Sequence, residues 1–425
     1  MKLDSYWLDT APLFTRDDGE PVSGHVDVAV VGGGFTGLSA ALALARRGAS
    51  VAVFEAGRVI GEASGRNGGQ CNSGLAHDYG ALAERIGAER ARAYYRAYES
   101  AVQTVEMLVQ REAIDCDFVR SGRLKLAAKP KHYDKLARAC ERLAREVDPE
   151  VEMIPPERMR EEVGSDAFFG GMLQKTSAQM HVGRFGVGLA EAAARAGARI
   201  LERTPVTELE RLGDGTYRVG SPRGEVRADQ VLLAAGNCVV GPFGYYRRRL
   251  VSVGSFIITT EPLDQALLDR LLPHRRGYVT SKNVGNYFRV TPDNRLLFGG
   301  RARFAMSNPR SDEKSGRILR AALVATFPEL SDVRIDYCWG GLVDMTADRL
   351  PRAGEHRGLF YSLGYSGHGV QMAVHMGQVM ADVMVGKADA NPWRELSWPA
   401  IPGHFGKAWF LPFVGAYYRF QDLIH

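Results

Sequence analysis

A chain of 425 residues is long for a single hydrophobic core, so we expect two domains of ordinary size. With 45% hydrophobic and 24% charged residues, the composition excludes a disordered or collagen-like protein and is typical of a globular one. The formal net charge of +5 is small for this length, and dispersed surface arginines explain it better than an anionic partner.

The cysteines and the first residues bear on the cellular compartment. The five cysteines are widely spaced and contain no Cys-x-x-Cys pair, which argues against a disulfide framework or a zinc site and predicts a reducing environment. Residues 1–7 contain no continuous apolar segment, so we expect no signal peptide and a cytoplasmic location. The cysteines are Cys71, Cys116, Cys140, Cys238 and Cys338.

The first predicted unit is a strand, a helix and a second strand. Residues 26–31 form an apolar run that ends at glycines, as expected of a buried parallel strand. The pattern is helical from Phe35 to Arg47 and stops at Gly48, and Ser50 to Glu55 forms the second strand. Residues 26–45 have about the length of a membrane span, but Asp27 and four glycines interrupt them, so we expect no integral membrane segment.

Helical and strand-rich blocks alternate along the rest of the chain. Further helices are predicted at residues 81–113, 131–147, 185–196, 312–327 and 369–385, with another beginning at Pro155. Strands are predicted at residues 199–202, 230–235, 333–339 and 359–363, hairpins at 207–228, and a strand-rich block at 251–339. This alternation predicts two interleaved domains rather than two consecutive ones.

A glycine-rich motif joins the first strand to the first helix. Gly32-Gly33-Gly34-Phe35-Thr36-Gly37 satisfies the pattern G-x-G-x-x-G. Gly32 permits the tight turn, Gly34 lets a pyrophosphate approach the backbone, and Gly37 lets helix and strand pack closely. Glu55 ends the second strand, where a carboxylate accepts hydrogen bonds from an adenosine ribose. The motif predicts a dinucleotide site, with the phosphates at the helix N-terminus, and leaves NAD and FAD both open.

Two later stretches resemble a known family. One is Ala56-Gly57-Arg58-Val59-Ile60-Gly61-Glu62-Ala63-Ser64-Gly65-Arg66-Asn67-Gly68-Gly69-Gln70, and the other is Gly364-Tyr365-Ser366-Gly367-His368-Gly369-Val370-Gln371. With the first motif, they resemble the D-amino-acid oxidase superfamily of FAD enzymes, closest to its gamma-glutamylputrescine oxidoreductase branch. The resemblance spans the chain and includes Leu296–Gly300 and Trp339–Gly341.

The resemblance implies the fold class and its division. We expect an α/β protein in which a Rossmann-like FAD-binding domain is interleaved with a second, α+β substrate domain built on a mostly antiparallel sheet. The FAD-binding domain would comprise residues 1–85, 171–241 and 340–425, and the substrate-binding domain residues 86–170 and 242–339. No second G-x-G-x-x-G motif with a strand before it and a helix after it is found, so no nicotinamide domain is expected.

The resemblance also implies a set of residues around FAD. Ser64 to Gln70 would run past the pyrophosphate towards the isoalloxazine ring, and Gly364 to Val370 would face the pyrimidine, where negative charge gathers on reduction. Gly341 stands where some relatives carry a flavin-linking cysteine, with Cys338 three positions earlier, so we expect FAD to be held non-covalently. The expected contacts are Gly32, Gly34, Phe35, Thr36, Gly37, Glu55, Ala56, Arg58, Ala63, Ser64, Gly65, Arg66, Asn67, Gly68, Gly69, Gln70, Val206, Ala235, Gly236, Gly341, Gly364, Tyr365, Ser366, Gly367, His368, Gly369 and Val370.

Candidate catalytic residues follow from chemistry and from the resemblance. Tyr287 and Trp339 would wall an amine, and Arg289 would grip a carboxylate. His181 stands where relatives commonly have a His-Pro pair, and here the proline is missing. His368 would add a donor or a positive charge near the flavin, or would be a structural histidine bonded to the backbone. No metal ligand set is expected.

The function implied is FAD-dependent oxidation of a small amine or amino acid at its carbon–nitrogen bond. Hydride passes to flavin N5, and the resulting imine hydrolyses to a carbonyl compound. The leading hypothesis is a gamma-glutamylputrescine-type amine oxidase of polyamine catabolism, with O2 as acceptor. The alternatives are an amino-acid or N-methyl amino-acid dehydrogenase that passes electrons to a quinone or carrier, an RNA-modifying flavoprotein and a non-catalytic FAD-binding protein. The only short basic stretch is residues 245–249, so we expect no nucleic-acid partner.

Overall fold

The computed structural model describes residues 1–17, 19–236, 240–300, 308–406 and 409–424. Cys238, Lys407 and Ala408 lie outside these ranges. The helices are α1 (Tyr6–Asp9), α2 (Phe35–Ala45), α3 (Ala63–Arg66), α4 (Tyr79–Ile86), α5 (Ala88–Arg111), α6 (Pro130–Glu146), α7 (Met159–Glu162), α8 (Val182–Arg195), α9 (Gly244–Arg247), α10 (Gln265–Leu271), α11 (Pro309–Thr326), α12 (Gly369–Met384) and α13 (Leu411–Ile424).

The strands fall into two large sheets and a small pair. They are β1 (His25–Val31), β2 (Val51–Phe54), β3 (Gln70–Cys71), β4 (Arg123–Leu126), β5 (Glu152–Ile154), β6 (Gly171–Gln174), β7 (Ala178–Gln179), β8 (Arg199–Leu201), β9 (Glu208–Arg211), β10 (Tyr217–Ser221), β11 (Gly224–Leu233), β12 (Val251–Pro262), β13 (Gly277–Thr280), β14 (Asn286–Val290), β15 (Arg295–Gly300), β16 (Ile335–Met345), β17 (Arg352–His356) and β18 (Leu359–Leu363).

The first sheet is built around parallel strands. Its order is β17-β18-β11-β1-β2-β8, with β10 paired antiparallel to β11 and β9 paired antiparallel to β10. β18, β11, β1, β2 and β8 pair in parallel. The inner strands are buried on both faces, because α2, α8 and α12 cover one face and the hydrophobic cluster that includes Tyr217, Phe243 and Tyr246 covers the other. Because these strands run in parallel, their carboxyl ends and the loops that follow them lie along one edge of the sheet.

The second sheet has the order β16-β12-β15-β14-β13-β4-β6-β5. Its pairs are antiparallel except β13 with β4. One face carries Leu124, Phe256, Phe288 and Phe298 and is sealed by a core that includes residues of α7, α10 and α11. The opposite face of this sheet is not covered by that core. This α/β architecture with a mostly antiparallel second sheet confirms the predicted fold class; the domain boundaries remain predictions.

Several predicted elements differ from the structure in detail. The helix predicted at 81–113 is two helices, α4 and α5, separated at Gly87, whose φ of +90° interrupts the helical backbone. The segment after Pro155 is only a 3-10 turn followed by the single turn α7. In the strand predicted at 333–339, Tyr337 and Trp339 share one face, whereas Ile335 packs with Cys338 in the core on the other face, because the pairing of β12 with β16 shifts register between Thr259 and Thr260. Neither α1 nor α13 was predicted from the sequence.

The described residues provide neither a membrane-crossing helix nor a metal-binding cluster. No helix among them is both long enough and apolar enough to cross a bilayer. They also contain no group of three or more His, Cys, Asp or Glu side chains arranged to hold a metal ion. Of the cysteines, Cys71, Cys116, Cys140 and Cys338 are free and buried.

Candidate cofactor and substrate cavity

One cavity of about 1630 Å³ lies where the carboxyl ends of β1 and β2 meet the open face of the second sheet. All of the expected cofactor contacts line it except Gly37, Gly65 and Gly69. Those that do are Gly32, Gly34, Phe35, Thr36, Glu55, Ala56, Arg58, Ala63, Ser64, Arg66, Asn67, Gly68, Gln70, Val206, Ala235, Gly236, Gly341, Gly364, Tyr365, Ser366, Gly367, His368, Gly369 and Val370. Segments far apart in sequence therefore build one wall.

The glycine motif makes the tightest contacts in this wall. Gly32 has a φ of +110°, and a Cβ there would lie 2.9 Å from the carbonyl carbon and oxygen of Ala234. A Cβ on Gly37 would lie 1.9 Å from the carbonyl oxygen of Gly32, so only glycine lets α2 approach β1 this closely. Gly37 is thus an internal packing position, and Gly32 and Gly34 form the cavity surface.

The N-terminus of α2 is suited to a negatively charged group. Its N-cap is Gly34, which has no side chain to cap the helix, and the first turn contains no acidic residue. Ser64 Oγ accepts a hydrogen bond from the Phe35 amide at 3.0 Å and so joins the 63–70 loop to this end of the helix. The positive end of the helix dipole faces the cavity, as a phosphate-binding helix requires.

Glu55 is held by backbone amides at the end of β2. Its Oε2 accepts a hydrogen bond from Gly33 N at 2.7 Å, and its Oε1 accepts one from Gly57 N at 2.7 Å. Burial raises the pKa of the carboxyl, and the two amide hydrogen bonds oppose that rise. Each oxygen keeps further acceptor capacity, so the carboxylate is fixed in position and still able to accept hydroxyl hydrogen bonds.

The 63–70 loop is held by its own polar side chains. Arg66 donates to the carbonyl oxygens of Gly61 and Gly340, both at 3.0 Å. Asn67 donates to Ser64 O at 2.7 Å and accepts from Gly69 N at 2.9 Å. Both residues line the cavity, and these hydrogen bonds fix the conformation of the loop there.

Two glycines expected at the cofactor lie behind this loop instead. A Cβ on Gly65 would lie 2.5 Å from the carbonyl oxygen of Ile60, and one on Gly69 would lie 2.7 Å from the Arg289 guanidinium and from Met180 O. These glycines therefore let the loop pack against the protein interior, and we do not propose that they contact the cofactor.

The 364–370 segment forms the opposite wall. Gly364 and Ser366 have φ values of +72° and +53°, which turn the chain sharply before α12. The hydroxyl of Tyr365 lies 2.8 Å from Thr36 Oγ1 and 2.8 Å from Ser362 Oγ, and burial raises its pKa to about 12. Tyr365 thereby ties this segment to α2, and the two walls of the cavity form one hydrogen-bonded unit.

These residues fit FAD. The cavity is large enough for a dinucleotide and opens onto an uncapped helix N-terminus for phosphates. A fixed carboxylate lies at the end of the next strand, where a ribose belongs. Cys338 faces away from this wall: its Sγ donates to Asp312 O at 3.2 Å, and burial raises its pKa to about 12.

The candidate catalytic residues divide into two groups. Tyr287 and His368 line the cavity. The Tyr287 ring is flanked by glycines, since Cβ atoms on Gly68 and Gly299 would lie 2.7 and 2.5 Å from it, and its hydroxyl lies 3.3 Å from Ser255 Oγ. His368 meets the ring of Tyr98 edge-on at 5.9 Å.

Arg289, Trp339 and His181 are buried behind the cavity wall. Arg289 donates to the carbonyl oxygens of Gly69 and Met180, both at 2.8 Å, and Trp339 Nε1 donates to Arg66 O at 3.0 Å. His181 Nδ1 accepts from Arg184 N at 3.1 Å and so caps α8. Each supports the loops that form the site, and we do not propose that they contact substrate.

The cavity also has lining residues that sequence reasoning missed. β4 contributes Arg123 and Lys125, and α13 contributes Leu411, Val414 and Tyr418. The alternation in Arg123-Leu124-Lys125-Leu126 was the available signal for a strand, but charged residues at every second position normally indicate a solvated face. No helix was predicted from the sequence where α13 lies.

His181 makes stability sensitive to acid. Burial, and then the charge of Arg184, lower its pKa to about 4, whereas an unfolded histidine titrates near 6.5. Between these values the unfolded chain binds a proton that the native chain does not. The free energy of unfolding therefore decreases as the pH is lowered through this window, and at pH 5 the decrease amounts to about 2 kcal/mol. We expect His181→Asn, which keeps a capping acceptor, to flatten the decline in unfolding temperature between pH 7 and 5. An unchanged pH slope would contradict this assignment.

The chain is similar to known proteins over most of its length. The sequence profile of the family described as "DAO: FAD dependent oxidoreductase" matches residues 27–383. Gamma-glutamylputrescine oxidoreductase of Escherichia coli (strain K12) is 32% identical over 98% of both chains. A probable oxidoreductase, OrdL, of Haemophilus influenzae is 31% identical over 85% of this chain and 83% of its own. The crystal structure of glycine oxidase from Geobacillus kaustophilus superimposes with a TM-score of 0.71 at 24% identity, covering 88% of this chain and 96% of that one.

Proposed function

The chain belongs to the DAO family of FAD-dependent oxidoreductases, and from that premise we propose that it oxidises a gamma-glutamylated diamine at its free amine end. As a member of this family, the protein is an FAD-dependent oxidoreductase that acts on amines or amino acids. The observation that carries the finer proposal is the identity to a gamma-glutamylputrescine oxidoreductase, which extends over 98% of both chains.

The residues of the cavity have separable tasks in this proposal. The N-terminus of α2 holds the pyrophosphate of FAD, Glu55 accepts the adenosine ribose hydroxyls, and the backbone of the 63–70 and 364–370 segments encloses the ring. When bound, FAD supplies the hydride acceptor for oxidation of the carbon–nitrogen bond. FAD is held without a covalent bond, since Gly341 lines the cavity and Cys338 faces away from it.

Tyr287 is the residue we assign to the reacting amine. Its ring lies between Gly68 of the loop and Gly299 of β15, so it cannot move without displacing one of them. An aromatic face there excludes water and favours the neutral form of the amine, which is the form that gives up hydride. Its hydroxyl, near Ser255, orients the nitrogen. No separate base is required for this chemistry.

Anaerobic mixing tests the proposed function. Gamma-glutamylputrescine should bleach the visible absorbance of the bound flavin within the turnover time, and glycine, sarcosine and D-alanine should bleach it at least ten times more slowly. Tyr287→Phe should keep its flavin and reduce the rate. Bleaching by the amino acids alone would contradict the proposal and favour an amino-acid oxidase.

A dehydrogenase that passes electrons to a quinone remains the second candidate. The observation in its favour is the exposed aromatic surface near the C-terminus, where Phe405, Trp409, Phe413, Tyr417 and Phe420 are more than half exposed. Re-oxidation of the reduced protein separates the two: rapid release of peroxide in air indicates an oxidase, and slow reaction with O2 but fast reduction of a quinone analogue indicates a dehydrogenase.

A further inference from the structure

The cavity wall contributed by β4 lies on the same face of the second sheet as Tyr287. Tyr287 pairs with Val279 on β13, and Val279 pairs with Lys125 on β4, so the three residues form a row across adjacent strands. Residues paired in this way project from the same face of a sheet. Two strand spacings separate Tyr287 from Lys125, a distance of roughly 10 Å.

Arg123 lies on this same face, two residues before Lys125, and is fixed by a buried chain of hydrogen bonds. It donates from Nη2 to Gln174 Oε1; Gln174 Nε2 donates to the hydroxyl of Tyr95 at 3.0 Å, and that hydroxyl donates to Asp148 at 3.0 Å. The Arg123 side chain is 8% exposed, and its Nε has no hydrogen-bond partner. The guanidinium is therefore held rigidly in the wall with unused donor capacity.

The charges around Lys125 are predominantly positive. Burial, together with the charges of Arg123, Lys135 and Arg349, lowers its pKa to about 8, while Asp78 acts in the opposite direction. Within the described residues, neither Arg123 nor Lys125 forms an ion pair with a carboxylate. Burying positive charge without a partner is unfavourable, and a bound anion would relieve this cost.

We propose that Arg123 and Lys125 form a carboxylate-binding subsite that holds the end of the substrate remote from its reacting amine. This inference deepens the proposed function and rests on it for the identity of the substrate. In a gamma-glutamylated diamine about nine bonds separate the reacting carbon from the α-carboxylate, or roughly 11 Å when extended. That length matches the separation of Tyr287 from Lys125. In glycine the carboxylate is attached to the reacting carbon, and in sarcosine it lies at most three bonds from either carbon bound to nitrogen, so neither compound reaches from Tyr287 to Lys125.

Calorimetric titration of the FAD-loaded protein tests the subsite without turnover. The probes are gamma-glutamyl-butylamide, which has the carboxylate but no oxidisable terminal amine, and the same compound with its α-carboxylate converted to a carboxamide. We expect the carboxylate form to bind about 10- to 100-fold more tightly, as for hydrogen bonds to a charged group. Lys125→Met and Arg123→Gln should each remove most of this preference, and Lys125→Arg should retain it.

Lys175→Met is the matched control. Lys175 is half-exposed outside the cavity and pairs with Glu152 at 3.1 Å, so its loss should leave the preference unchanged. The inference is overturned if the wild-type protein binds both probes equally, or if Lys125→Met keeps the preference. Should no amine bleach the flavin while the preference persists, the proposed function fails and the subsite stands. If gamma-glutamylputrescine bleaches the flavin and the protein shows no preference for the carboxylate probe, the proposed function stands and the subsite fails.

Discussion

Replacing Gly37 by alanine will deprive the protein of bound FAD and lower its unfolding temperature. The new Cβ would lie 1.9 Å from the carbonyl oxygen of Gly32, so α2 must move away from β1. Overpacking of this kind costs about 1–3 kcal/mol and here also displaces the turn that faces the pyrophosphate. The measurement is the ratio of flavin to protein absorbance after purification, together with thermal unfolding in the presence of excess FAD.

Alanine substitutions at two other glycines serve as controls, because they show whether the protein tolerates alanine at glycine positions in general. Gly213 lies in the turn before β10 and has no atom within 4 Å of an added Cβ, so Gly213→Ala should behave as wild type. Gly34→Ala places its Cβ 3.0 Å from Ser64 Oγ, at the cavity surface, and should weaken FAD binding while leaving the apoprotein as stable as wild type. Full flavin content in Gly37→Ala would contradict the packing role assigned to this residue.

Changing Glu55 to glutamine should weaken FAD binding by about 10- to 100-fold, the range expected when hydrogen bonds to a charged acceptor are lost. The carboxylate accepts hydrogen bonds from the backbone amides of Gly33 and Gly57, and its oxygens can still accept hydrogen bonds from a ribose. A glutamine has a single acceptor oxygen, and its NH2 group would face one of those amides. The dissociation constant is measured by titrating the apoprotein with FAD and following flavin fluorescence.

Glu202 offers a close control for this substitution. It follows β8, the next strand of the same sheet, and its carboxylate accepts a hydrogen bond from Val59 N at 2.6 Å, but it does not line the cavity. Glu202→Gln should therefore reduce stability slightly and leave FAD affinity near the wild-type value. Equal losses of affinity in the two variants would mean that Glu55 only stabilises the fold.

The cofactor side of the site was predictable because its chemistry is local in sequence. The G-x-G-x-x-G motif, Glu55 and the two glycine-rich strings occupy short continuous segments, and the sequence restricts their backbone directly. The buried parallel strands were predictable for the same reason, since their apolar runs end at glycines. Only Gly37, Gly65 and Gly69 lie behind the surface, where close packing requires glycine as strongly as cofactor contact does.

The substrate side was less predictable because it depends on pairing between distant strands. Tyr287 and Arg289 project from the same face of β14, and sequence alone does not show that the 63–70 loop covers Arg289 and leaves Tyr287 at the cavity. Arg123 and Lys125 reach the cavity only through the parallel pairing of β4 with β13, some 150 residues later. The break at Gly87 was missed because the helical pattern continues on both sides of it.

The placement of the cavity walls has a consequence for biosynthesis. The glycine motif leaves the ribosome before the 364–370 segment and α13, which complete the enclosure. At roughly 5–20 residues per second, these walls are synthesised tens of seconds apart. The nascent polypeptide therefore presents the glycine motif without its opposite wall until the 364–370 segment has been made. We expect cells starved of riboflavin to accumulate this protein in aggregates or lose it to proteolysis, because its last segment then closes over an empty enclosure.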